Sequence, residues 1–155
     1  VKKVGAQLAE IARLRGMDLL EMAQLTSIDL VETTTKRTPV DAGDLRGSWQ
    51  PTIGSPATSD VENTDTSGGA TVAKAVNVIK AMKDGDVFYY VNNKPYAVVA
   101  EYGLWGTGPY ATTKTTRDGY SIQAPYGMVG VTVSEFQTKA DKWIRHIKSK
   151  QKPVK

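Results

Sequence analysis

Apolar positions recur at helical spacing from the start of the chain. Leu8, Ile11 and Ala12, with Arg15, mark one register, and Gly16 interrupts it. Asp18 and Glu21 have the spacing of a capping box, with Asp18 in place of the usual Ser or Thr. Leu20, Ala23, Ser27, Leu30, Val31 and Thr34 then share one side of a second helix. Residues 2–37 therefore read as helical, although Thr33, Thr34 and Thr35 form a β-branched run of lower helix propensity. Pro39 disfavours the α region at Thr38 and predicts a stop before it.

A turn follows, in which Asp41 is expected to accept backbone N–H bonds and Gly43 to take positive φ. Leu45, Gly47 and Trp49 alternate with Arg46, Ser48 and Gln50, which predicts a strand over residues 45–53. Residues 54–70 hold few large apolar side chains and read as a mobile, slightly acidic loop. Val72, Ala75, Val76, Ile79 and Met82 predict a helix over residues 71–83, broken by Asp84-Gly85-Asp86. Residues 87–91 are rich in β formers and read as a strand.

Asn92-Asn93-Lys94-Pro95 looks like a helix entrance with Pro95 at the first helical position, and Gly103 like a left-handed cap. A strand over this segment is the alternative. Residues 104–121 form a second irregular stretch. Val129, Val131 and Val133 alternate as a last strand, and Phe136, Ala140, Trp143, Ile144 and Ile147 stripe a helix over residues 134–149. The element order suggests α+β: a long N-terminal helical region and a C-terminal helix packed on a small, mostly antiparallel sheet, with two long loops. Residues 1–150 read as one domain and 151–155 as a basic tail expected to be disordered. No internal repeat is visible.

Composition narrows the chemistry. The chain has 155 residues, 40% hydrophobic and 23% charged, a globular balance. It has no cysteine, which excludes disulfides, thiolate nucleophiles and cysteine-ligated metals within this sequence. His146 is the one histidine. No apolar run has the length of a membrane span. The first residues carry Glu10 and lack the apolar core of a secretory signal, so a soluble, cytosolic protein is expected.

Charge is uneven. Residues 139–155 sum to +6 and the rest of the chain to −2. Such a segment is either a nucleic-acid arm, with Lys142, Arg145, Lys148 and Lys150 as its contacts, or a helix end whose cations complement the macrodipole.

No catalytic constellation emerges. His146 has no nameable partner, and Ser48 has no elbow context. Glu101 is either a buried acid or a carboxylate tied to backbone donors or an arginine. Gly103, Gly106 and Gly108 lack the Lys-Ser/Thr of a phosphate loop. Asp41 and Asp44 lack further acidic ligands for a cation, so Asp41 is expected to pair with Arg46 across the turn. Neither a cofactor nor a metal is expected.

Three stretches together resemble one family. They are Thr38 to Trp49, with Pro39, Asp41, Gly43, Leu45 and Arg46; Gly85 to Gly103, with Asn92, Pro95, Tyr96 and Glu101; and Gly119 to Gln137, with Pro125 and Gly127. Their order is similar to that of bacteriophage neck proteins of the tail-completion, or head–tail joining, class. Ala42 stands where threonine is common, Gly130 where arginine is common, and residues 104–118 look inserted. The resemblance implies a structural, non-enzymatic virion protein. It would form a homo-oligomeric ring at the head–tail junction, with neighbouring head-completion, connector and tail proteins as partners. Genomic DNA would pass transiently through the lumen, and no membrane would be involved. Assembly would take place in the host cytoplasm, and the product would be the neck of the virion. The loops 54–70 and 104–121 would reach neighbours and order on assembly. The alternatives are a tail-terminator or head-closure ring and, in another class, a nucleic-acid-binding module using the basic C-terminal helix.

Overall fold

The computed structural model describes residues 2–15, 19–106 and 114–150. Its elements are α1 (Lys2–Arg15), α2 (Leu19–Arg37), α3 (Asp44–Gly47), β1 (Trp49–Ile53), α4 (Gly69–Lys80), β2 (Phe88–Asn92), α5 (Ala97–Tyr102) and α6 (Val129–Lys150). β1 and β2 pair antiparallel, with Trp49 opposite Asn92 and Ile53 opposite Phe88, so the α+β class holds. The Asp18 capping box lies outside the described residues, as does the tail 151–155.

Three apolar clusters hold the elements together. Ile11 and Ala12 of α1, Met22 of α2, and Phe136 and Ala140 of α6 make the first. Gln7 ties the same helices by donating to the Gln137 carbonyl and the Asp141 carboxylate. Val31 of α2 meets Ala75, Ile79 and Met82 under β1 and β2 in the second. Leu45, Trp49, Ala97, Ala100, Ala124 and Met128 form the third. Tyr90 touches both of the last two and stacks on Trp49, with ring centroids 4.8 Å apart.

The threonines that weaken α2 as a helix attach it to the sheet. Thr34, Thr35 and Thr38 are buried. The Thr35 hydroxyl donates to the Val31 carbonyl at 2.7 Å and accepts from the Tyr90 hydroxyl at 2.7 Å. Burial pushes that phenol up to about 12, against the opposing pull of the Thr35 hydrogen bond. The Thr38 hydroxyl donates to the Thr34 carbonyl at 2.9 Å and accepts from the Trp49 indole N–H at 2.9 Å. The helix end is closed by Arg46, whose guanidinium donates to the carbonyls of Lys36, Thr38 and Thr66. A cation at a helix C-terminus satisfies orphan carbonyls and complements the dipole.

Several expectations need correction. Residues 44–47 are a helical turn, not the start of a strand. Gly43 has φ 92°, and a Cβ there would lie 2.7 Å from the Thr66 nitrogen. The backbone enters the turn from a left-handed residue and closes with Gly47 N–H on the Gly43 carbonyl (2.8 Å). Arg46 faces the end of α2, and no Asp41–Arg46 pair or Asp41 hydrogen bond occurs among the described residues.

Residues 129–133 belong to α6, not to a strand. Their valine alternation is overridden by an i, i+4, i+8 stripe of buried Thr132, Phe136 and Ala140, which leaves Val129 and Val133 exposed. Pro95 precedes α5 instead of opening it. The Asn92 side chain accepts the Lys94 N–H and makes a turn there, while Gly103, at φ 71°, does cap the helix.

Residues 54–70 are tied down within the single chain. Gln50 and Asn93 donate to the Ser59 carbonyl, Ser48 to that of Val61, and Asn63 to that of Gly47. α4 starts at Gly69, two residues before the predicted position, because Asp65 holds its first N–H groups.

Replacing Thr38 by valine keeps the volume and strands the Trp49 indole N–H, a cost of about 1–3 kcal/mol expected in urea denaturation.

Candidate functional site

The turn at residues 39–45, α5 and the segment 119–130 converge on one junction. Gln123 grips the first of these, accepting the Val40 N–H at 2.9 Å and donating to the Val40 carbonyl at 2.7 Å. Asn92 donates to the Leu45 carbonyl at 2.7 Å. Glu101 accepts the backbone N–H groups of Met128, Val129 and Gly130, each at 2.8 Å. It therefore supplies from α5 the cap that starts α6, satisfying orphan donors with a negative charge at the positive helix end. Gly127 is required beside it: φ is 80°, and a Cβ would meet the Glu101 carbonyl oxygen at 2.5 Å. Of the two readings of Glu101, the carboxylate tied to backbone donors is the one found.

Asp44 is the second carboxylate joint. It accepts from the Tyr96 hydroxyl and pairs with the buried Lys94 ammonium at 3.2 Å. Lys94 also reaches Asp60 at 3.4 Å. Burial pushes the Asp44 carboxyl up, but the hydrogen bonds from Tyr96, Lys94 and Ser48 prevail and hold it below the usual carboxylate range.

Asp65 is the third. Burial also acts upward there, and the backbone N–H and hydroxyl of Thr71, with Ser67 and the Gly68 N–H, hold it at about 2.

A cleft of about 490 Å³ opens beside Asp44. Pro39, Asp41, Ala42, Tyr96 and Trp105 are among its walls, with Lys114 and Ser121 on the far side. The Tyr96 and Trp105 rings lie 6.2 Å apart at 46° and form a corner. A shallower hollow of about 440 Å³ shares Asp44 and adds Glu62, Asn63, Thr64 and Lys94.

The remaining sequence-selected residues fall in three groups. Leu45 and Trp49 are core, and Arg46 is a helix cap. Pro125 and Gly127 form a bridge beside Glu101, while Gly103 abuts the Tyr120 ring. Arg145 is exposed on α6; the side chains of Lys142, His146, Lys148 and Lys150 lie outside the description. Among the described residues no group of three or more His, Asp or Glu is arranged for a metal ion, and no helix is long and apolar enough to cross a membrane.

Sequence reading missed Lys94, Asp60, Asp65 and Gln123 as organisers. Asp65 alone carried a local signal, an acid followed by Ser67 and Gly68 ahead of a helical run. The partners of the others are 34 to 83 residues distant in sequence or belong to segments read as loops.

Compared with known proteins, the chain matches no family model, no curated protein and no solved structure.

Two outcomes are expected. Because Asp65 is more acidic folded than unfolded, its contribution is present above its unfolded value near 4 and lost as the pH falls toward 2. Acid titration of Asp65→Asn should lack that part of the decline and show about 1–2 kcal/mol less stability at pH 7. Glu101→Ala should cost about 1–3 kcal/mol and weaken hydrogen-exchange protection first at residues 129–133.

Proposed function

We propose that this chain is a structural subunit of a tailed-bacteriophage neck, forming a ring that joins or completes the tail and leaves a passage for DNA. The observation that carries this reading is an apolar surface gathered around one joint. Val98 and Tyr102 lie one turn apart on α5, and Val129 and Val133 one turn apart on α6. Leu104, Ile122 and Tyr126 flank them, with Tyr126 75% exposed. Seven of the ten large apolar side chains exposed among the described residues belong to these segments, which meet where Glu101 caps α6. Exposed apolar surface of this kind is a feature of protein–protein interfaces.

The convergence of the three resembling stretches on the same joint supports the reading further. Within them Asp44 and Glu101 are committed to side-chain and backbone partners, and Gly43, Gly103 and Gly127 take left-handed turns, which hold a shape as a subunit of an assembly requires. A ring calls for one patch to meet a different patch on the next copy. The subunit would assemble in the host cytoplasm and persist in the virion neck. Tail-terminator and head-closure rings make the same demand on this surface one layer away.

The test is absolute mass by light scattering with negative-stain imaging, alone and after mixing with filled heads and with tails. A ring of defined copy number is expected. Ile122→Asp with Tyr126→Asp should abolish it while moving stability by no more than about 0.5 kcal/mol. A wild-type chain that stays monomeric and binds neither heads nor tails overturns the reading.

A further inference from the structure

We infer that the cleft between the 39–45 turn and Trp105 takes the basic segment of residues 148–155 from a second copy of this chain. The inference deepens the ring reading by supplying its head-to-tail contact. Three features select the occupant.

The first is charge. Asp41 is exposed at the cleft and makes no hydrogen bond or ion pair among the described residues. Asp41 and Asp44 line the cleft with Lys114, and Glu62 lines the adjoining hollow with Lys94, so acids outnumber lysines along them. The segment Lys148-Ser-Lys-Gln-Lys-Pro-Val-Lys155 has four lysines and no acid.

The second is shape chemistry. The Tyr96 and Trp105 rings both line the cleft, and aromatic side chains suit a prolyl ring and the stems and ammonium groups of lysines. Pro153 stands between Lys152 and Val154, so one short stretch offers both kinds of group.

The third is reach, which decides between a chain's own tail and a neighbour's. α6 begins at Val129, pinned to Glu101 at the end of the molecule that holds the cleft. Its 22 residues rise about 33 Å at about 1.5 Å each. Residues 151–155 span at most about 18 Å even when fully extended. Residues 151–155 therefore cannot span back to the cleft of their own chain, and their contact must run between copies. Such a contact is heterologous, closing into a ring or propagating as a filament.

A fluorescein-labelled peptide of residues 148–155, titrated into the full-length protein and read by anisotropy, tests the site itself. Saturable binding is expected, about tenfold weaker in Asp41→Lys and within about twofold of wild type in Glu32→Lys, an equal charge change on exposed α2. Absence of saturable binding, equal loss in both variants, or equal binding of the peptide with its lysines changed to glutamate overturns the inference.

The cysteine-free sequence also permits disulfide trapping. Ala42→Cys mixed with Lys152→Cys should give a cross-linked pair under mild oxidation. The two substitutions in one chain should not close on themselves at high dilution, and closure would overturn the reach argument. The two readings fail separately: a ring without peptide binding removes the cleft contact and keeps the neck, whereas peptide binding by a chain that never assembles does the reverse.

Discussion

Two threonine hydroxyls, Thr35 on the last turn of α2 and Thr38 just beyond it, hold the only sheet among the described residues to the helices, and the rest of the molecule is arranged around that attachment. A two-stranded antiparallel pair is marginal by itself. Here Thr35 takes the Tyr90 hydroxyl and Thr38 takes the Trp49 indole N–H, one anchor on each strand. Each threonine also donates back into the helix, so both buried aromatic polar groups are satisfied without water. The stacked Trp49 and Tyr90 rings then join two apolar clusters into a continuous interior.

From that interior outward, carboxylates serve as joints. Asp65 starts α4, Glu101 starts α6, and Asp44 binds the 39–45 turn to Lys94 and Tyr96. Asp65 and Glu101 accept backbone N–H groups at helix starts, and Asp44 accepts side-chain donors. Charge-assisted bonds of this kind are stronger than neutral ones and fix position as well as energy. Irregular chain that would otherwise pay a large entropy cost is held by a few acids placed where helices begin.

The same economy shapes the surface. The junction around Glu101 carries exposed apolar side chains, with the Tyr96–Trp105 pair beside it. Val98 and Tyr102 stand on α5, and Ile122 and Tyr126 on the turns that lead into α6.

The amphipathic periods of α1, α2 and α4, the β-rich run read at 87–91 and found one residue later at Phe88–Asn92, and the left-handed glycines 43 and 103 were legible from sequence alone. Periodicity and positive φ are properties of neighbouring residues, and neighbouring residues are what a sequence displays. The α+β class followed from their order. Tertiary structure decided the rest. Valines 129, 131 and 133 alternate like a strand, yet they lie in a helix because a carboxylate 28 residues earlier caps it and Phe136 and Ala140 extend its buried stripe. Residues 54–70 look like free loop, yet Ser48, Gln50 and Asn63 hold them against the β1 region. Thr35 and Thr38 weaken a helix in isolation and secure a sheet in context. In each case the deciding partner is distant in the chain, and only folding brings its hydrogen-bonding atoms within reach.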